Sequence, residues 1–216
     1  MCRSFQSESG SPMRIVLVAL TLLLAPPIST SAEPVVVFED SLKGQLGQGW
    51  TWLRENRKYW RHSDQGLEIR VEPGVANTVR NALVRTAPDR SVGKYAIEVT
   101  VEFLSTPSQQ YEQGGLTWYQ DTKPVFKLVH EFIDGKTYVI PGKRPTDTRS
   151  VQLRLIVGSD QYIAQYRSGA KGEFRTAASG KLAAGKDETI SIQCYNGSAA
   201  QHWIRFSDFR ILRLPE

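Results

Sequence analysis

Hydrophobic and polar residues alternate with a period of two along most of the chain after residue 33. Leu67, Ile69 and Val71 alternate with Glu68, Arg70 and Glu72, and Tyr95, Ile97, Val99, Val101 and Phe103 with Ala96, Glu98, Thr100 and Glu102. Val151, Leu153, Leu155 and Val157 alternate with Gln152, Arg154 and Ile156. Near the end, Trp203, Arg205, Ser207 and Phe209 interleave with Ile204, Phe206, Asp208 and Arg210. Successive side chains of a strand point to opposite faces, so this pattern predicts half-buried antiparallel strands. Ser63-Asp64-Gln65-Gly66, Asp134-Gly135, Gly158-Ser159-Asp160 and Asn196-Gly197-Ser198 supply the turns between them. About a dozen strands at this spacing predict an all-β, two-sheet antiparallel sandwich in one domain over residues 33–216. A helical turn over residues 181–184 is the most helix the pattern offers.

Residues 1–32 read as an address. Residues 15–25 form an apolar run of eleven, preceded by Arg14 and followed by Pro26-Pro27-Ile28-Ser29-Thr30-Ser31-Ala32. A basic start, a short apolar stretch and small residues before a cut after Ala32 make a secretory signal peptide. Eleven residues fall short of the roughly twenty that span a bilayer, so no integral membrane segment is expected once the signal is cleaved. The chain is therefore expected to be exported, periplasmic or extracellular, in a bacterial host. Of its 2 cysteines only Cys194 lies beyond the signal, inside the alternation Ile190-Ser191-Ile192-Gln193-Cys194, where it reads as a small buried hydrophobe.

Composition narrows the chemistry. Hydrophobic residues are 40% and charged residues 23%, which excludes disorder and leaves material for a core. The formal charge of +5 is dispersed over nearly every strand, with no basic stripe, so nucleic acid is not an expected partner. No P-loop, dinucleotide fingerprint or Gly-x-Ser-x-Gly elbow occurs. His62, His130 and His202 lie far apart without metal-ligand spacing, and no Asp-rich calcium loop is present, so neither metal nor cofactor is expected. Sandwich glycosidases work with paired carboxylates, but Glu68 with Glu72 and Glu98 with Glu102 read as solvated strand faces.

Three blocks carry a resemblance. They are Gly49-Trp50-Thr51-Trp52-Leu53-Arg54-Glu55-Asn56 with Tyr59-Trp60-Arg61, the stretch from Gln109-Gln110-Tyr111-Glu112-Gln113-Gly114-Gly115-Leu116-Thr117-Trp118-Tyr119-Gln120 on through Asp134-Gly135, and the closing Trp203-Ile204-Arg205-Phe206-Ser207-Asp208-Phe209-Arg210. Together they resemble the concanavalin A-like jelly-roll family of unknown function related to the yeast regulator of enolase. They are also similar to the C-terminal sandwich module of bacterial β-xylosidases, whose Tyr-x-Gln-Ala-Gly-Leu block has glycine for alanine here. The resemblance implies a jelly roll of the lectin and glucanase type and leaves function open, since that fold serves lectins, hydrolases, lyases and ancillary modules.

The hairpin over residues 114–133 is the most informative piece. A five-residue loop over 120–124 pairs Tyr119 with Val125, Thr117 with Lys127, Gly115 with Val129 and Gln113 with Glu131. It leaves Leu116, Trp118, Phe126, Leu128, His130 and Phe132 on the apolar face. A four-residue loop would set Trp118 beside Lys127 and mix the faces, against the sorting that fixes register. Gln113, Thr117, Tyr119, Lys127 and Glu131 are then expected to line one surface, over a small spot left by Gly115, with Arg54, Trp60 and His62 at its rim. An aromatic ring beside amides and charges suits a saccharide, giving a non-catalytic carbohydrate-binding module as the expected function. The alternatives are a glycoside hydrolase or polysaccharide lyase using Glu131 with Tyr119, Lys127 or His130, and a structural or protein-interaction module.

Overall fold

The computed structural model describes Met1 and residues 32–169, 172–198 and 201–215. The signal expected over residues 1–32 lies outside the described residues apart from its two ends. The described body is all-β, with one short 3-10 turn, Arg57–Tyr59. Two antiparallel sheets face each other as a sandwich.

The eight-stranded sheet runs β13 (Arg175–Lys181), β12 (Gln161–Ser168), β11 (Ser150–Val157), β6 (Tyr95–Phe103), β15 (Trp203–Arg213), β4 (Gly66–Arg70) and β3 (Trp60–Ser63). Its remaining member, β1 (Val35–Asp40), pairs with the later half of β15 while β4 pairs with its first half. The seven-stranded sheet runs β10 (Arg144–Thr146), β9 (Lys136–Ile140), β8 (Lys123–Ile133), β7 (Gln113–Gln120), β14 (Thr189–Tyr195), β5 (Ala82–Thr86) and β2 (Thr51–Leu53). Central neighbours such as β7 with β14 and β6 with β15 are far apart in sequence, the crossed connectivity of a jelly roll.

The expected alternation holds. Ile97, Val99, Val101 and Phe103 of β6 are buried in one core with Leu116, Trp118, Leu128, Ile190, Ile192 and Phe206. Cys194 is also buried there, and burial pushes its thiol pKa well up, followed by the nearby charges of Glu112 and Glu72.

The acidic rows are solvated only in part, which corrects that expectation: Glu72 and Glu102 stay partly exposed, but the first member of each pair does not. Glu68 and Glu98 are buried beneath arginines from neighbouring strands. Glu98 accepts from Arg154 at 2.5 Å and Arg210 at 2.7 Å, and Glu68 from Arg61 at 2.7 Å and Arg205 at 3.0 Å. Long guanidinium stems lie across the sheet and exclude water from the carboxylates between them.

Candidate functional site

The β7–β8 hairpin sets the outer face of the seven-stranded sheet. Its turn has two residues rather than five: Asp121 and Thr122, at φ of 46° and 67°, link Gln120 to Lys123. Two consecutive positive φ values give the turn whose twist matches the flanking strands. Tyr119 consequently pairs with Pro124, not Val125, and a bulge restores Trp118 opposite Phe126. From there inward the pairs Thr117–Lys127, Gly115–Val129 and Gln113–Glu131 are those expected. Proline brings no N–H to the ladder, so a bulge beside Pro124 loses little.

Gln113, Lys127 and Glu131 form one hydrogen-bonded knot. Lys127 Nζ donates to Gln113 Oε1 at 2.7 Å and reaches Glu131 Oε2 at 3.2 Å. Gln113 Nε2 donates to Glu131 Oε1 at 3.1 Å and to the Tyr111 carbonyl at 2.7 Å. The Lys127 side chain is 36% exposed and that of Glu131 only 6%, so the ammonium is the head that meets solvent. Thr117 sits on the same face, buried, its Oγ1 without a hydrogen-bond partner among the described residues. Gly115 leaves no open spot: at φ +159° a Cβ there would strike the Leu128 carbonyl.

Tyr119 is on this face but covered. Residues 71–81 cross over it on their way from β4 to β5. The Tyr119 hydroxyl lies 2.5 Å from the Ala76 carbonyl and 2.9 Å from Gln193 Oε1, which also accepts from Ser191 Oγ at 2.9 Å. Burial raises its pKa, against the opposing pull of Gln193, Arg54 and Ser191. Arg54 is therefore brought to the site, its Nε anchored on the Val79 carbonyl at 2.6 Å. Tyr195 joins it from β14: burial, then the charges of Glu131 and Tyr119, push its phenol pKa up. Ser191, Gln193 and Tyr195 were missing from the sequence reading. Their signal was the polar half of the alternation whose apolar half is Ile190, Ile192 and Cys194.

Trp60, His62 and His130 do not reach this face. Trp60 stacks on Trp52 at 4.6 Å inside the core, because β3 belongs to the other sheet. His62 sits edge-on to Trp60, its Nδ1 3.3 Å from the Leu42 carbonyl. His130 follows Lys127 by an odd number of positions and so points inward, with Nε2 2.9 Å from Thr146 Oγ1. Burial alone depresses its pKa to about 3. It cannot share a proton with Glu131, its neighbour on the opposite face.

At the turn end of β7 the outer face opens into a cleft of about 460 Å³. Thr51, Thr86, Thr122 and Thr189 line it with Asp121 and Asp187, and Tyr119 forms part of its wall. Among the described residues no group of three or more His, Cys, Asp or Glu side chains is arranged to hold a metal ion. No described helix is long and apolar enough to cross a membrane.

Comparison with solved structures assigns the architecture. A GH43 protein from Bacillus licheniformis matches with a TM-score of 0.68 and 17% identity, over 81% of this chain and 39% of that one. The chain has that jelly-roll sandwich fold. A xylan β-1,4-xylosidase from Bacillus halodurans matches at 0.60 and 14% identity, over 87% and 40% of the two chains. A functionally unknown protein from Saccharomyces cerevisiae matches at 0.52 and 13%, over 78% and 97%. The chain thus spans about two-fifths of the length of the two bacterial proteins and nearly all of the yeast one. No protein-family model matches, and no curated protein is similar in sequence. The resemblance read from the three sequence blocks holds as a likeness of fold.

Proposed function

We propose that this chain is an exported, carbohydrate-associated β-sandwich module that binds saccharide on the outer face of its seven-stranded sheet and does no chemistry on it. The observation that carries this reading is the prearranged polar face itself. The Gln113–Lys127–Glu131 knot stands ready at one end and a threonine-lined cleft at the other. Cleft hydroxyls and one solvent-reaching ammonium held in place by its neighbours hydrogen-bond sugar hydroxyls with little ordering cost. That proteins of this fold include a xylan β-1,4-xylosidase supports the saccharide as ligand.

The same geometry speaks against Glu131 as a catalyst. Both its oxygens are engaged, by Lys127 and Gln113. Glycosidases hold two carboxyl groups about 5–10 Å apart. Asp121 lies at the far end of β7 from the Gln113–Glu131 pair, roughly 25 Å away at the rise of a strand.

Oligosaccharide titration of the purified chain, with product analysis on the same mixtures, tests the proposal. Binding without product is expected, and Lys127→Ala should weaken it about tenfold, with a lowered melting temperature as well because Glu131 is left buried without its cation. Released sugar would overturn the non-catalytic part, and no affinity for any saccharide would overturn the rest. Export rests on the Arg14-led apolar run, and the secreted product should begin at Glu33.

A further inference from the structure

The arginines laid over the eight-stranded sheet leave one row of its outer face open. Outward-facing residues pair across the strands in rows. One row runs Arg61–Glu68–Arg205–Glu102 and another Arg210–Glu98–Arg154, and both are closed by ion pairs. The row between them is Ser207–Thr100–Gln152–Arg167. It contains no carboxylate, and its first two side chains are short. There the face drops into an open groove of about 880 Å³, larger than the threonine-lined cleft on the other sheet.

A bulge supplies this groove with the carboxylate its row lacks. Ser207 pairs with Thr100 and Arg210 with Glu98, so Asp208 and Phe209 together oppose Val99. Strict alternation would send Asp208 into the core beside Phe206. At φ +53° it faces the polar row instead, while Phe209 stays buried. Its Oδ2 accepts from Ser207 Oγ at 3.0 Å and lies 3.5 Å from Thr100 Oγ1, and its Oδ1 has no partner among the described residues. At the other end Arg167 donates from Nε to Gln152 Oε1 at 2.6 Å and from Nη1 to the Gly172 carbonyl at 3.0 Å. Gln152 Nε2 and Arg167 Nη2 are left to donate. Asp208 on β15 and Arg167 on β12 are three strand spacings apart, roughly 15 Å.

The lining sets the class of ligand. Arg210 already meets Glu98, and Arg167 already meets two oxygens, so no unanswered positive charge calls for an anion. An acceptor at one end, donors at the other and a threonine hydroxyl between them suit groups that both donate and accept, which hydroxyls do.

We propose that this groove is a second saccharide site, for an uncharged oligosaccharide lying across the strands, so that the module holds sugar on both of its outer faces. The inference takes its ligand class from the saccharide-binding reading above and adds a site on the opposite sheet. Two such sites let one module bridge two polysaccharide chains.

NMR titration of the isotope-labelled chain with neutral oligosaccharides of xylose, glucose and mannose tests it. At least one should shift the backbone amides of Thr100, Gln152 and Asp208 as well as those of Gln113, Lys127 and Glu131. Asp208→Gly should weaken binding at the groove about tenfold and leave the Lys127 site unchanged. Glycine accepts the positive φ, so the bulge is kept. Thr100→Val removes a hydroxyl from the floor, keeps a β-branched strand residue, and should act in the same direction. Shifts confined to the Gln113–Lys127–Glu131 set would overturn the inference and leave the module reading standing. Shifts confined to the groove would uphold it and overturn the face proposed above. No shift with any of the three sugars would overturn both. A uronic-acid oligosaccharide held about tenfold tighter in the groove than its neutral counterpart would overturn the uncharged class.

Discussion

Tyr119 shows how a residue suited to one task is held to another. Its ring shares a face with Lys127 and Glu131, but its hydroxyl is tied to Ala76 and Gln193 and the side chain is 1% exposed. It ties the crossing segment over residues 71–81 to the sheet, so its removal is a matter of stability. Tyr119→Phe should lose about 1–2 kcal/mol and Tyr119→Ala about 3–5 kcal/mol in urea denaturation. An unchanged midpoint for Tyr119→Phe would show the hydroxyl to be idle. His130 gives a second test at this scale. It is neutral in the fold, with its pKa depressed to about 3, and takes up a proton near pH 6.5 when unfolded. The unfolded state therefore binds more protons between those values, and stability falls as pH drops through 6.5, by up to about 1.4 kcal/mol per unit. His130→Gln should flatten that slope between pH 6.5 and 4.5. The lowered carboxylates Glu68 and Glu188 act only below that window, where their stabilisation is lost on protonation. A slope unchanged by the substitution would assign the effect elsewhere.

At the scale of the element, the two sheets use their outer faces differently. The eight-stranded sheet closes much of its face with arginines laid over buried carboxylates. Glu98 is fully buried between Arg154 and Arg210, whose side chains keep 28% and 38% exposure. Glu98→Ala should cost about 3 kcal/mol, because it strands two guanidiniums on a desolvated surface, whereas Arg210→Ala should cost less with Arg154 still in place. Equal and small losses in denaturant melts would mean that the ladder is decorative. The seven-stranded sheet instead keeps a preset polar knot and an open cleft. The hairpin that builds it was legible in part. Apolar and polar sorting fixed the register from Thr117 inward, because a one-residue slip would have turned Lys127 into the core. The turn was not legible: Asp121-Thr122 contains no glycine, the usual mark of a two-residue hairpin loop, and the bulge beside Pro124 has no periodic signal.

For the whole molecule, the joints between the sheets hold the sandwich together. Arg90, 4% exposed in the connection from β5 to β6, donates to Glu188 Oε2 and Oε1 at 2.9 and 2.7 Å. It also donates to the carbonyls of Leu182, Gly158 and Ala183. One side chain thereby binds the β11–β12 turn of one sheet to the strand crossing that leads into β14 of the other. Burial pushes the Glu188 pKa up, but Arg90 and Gln120 outweigh it and hold it low. Arg90→Met should destabilise the fold by about 3–5 kcal/mol, since Glu188 is left desolvated and unpaired. Adding Glu188→Gln should recover part of that loss, and its failure to do so would shift the weight to the carbonyl contacts.

What the sequence by itself determined is what is local. Strand periodicity tells each residue its face, so the all-β class, the burial of Cys194 and Trp118, and the common face of Gln113, Thr117, Tyr119, Lys127 and Glu131 were all readable from neighbours along the chain. Tertiary structure decided which faces meet. Only the pairing of β7 with β14 brings Ser191, Gln193 and Tyr195 to the site, and only the path of residues 71–81 buries Tyr119 and delivers Arg54. The same folding assigned β3 to the opposite sheet, placing Trp60 in the core with His62 edge-on against it, because which faces meet is set by pairing that no local periodicity encodes.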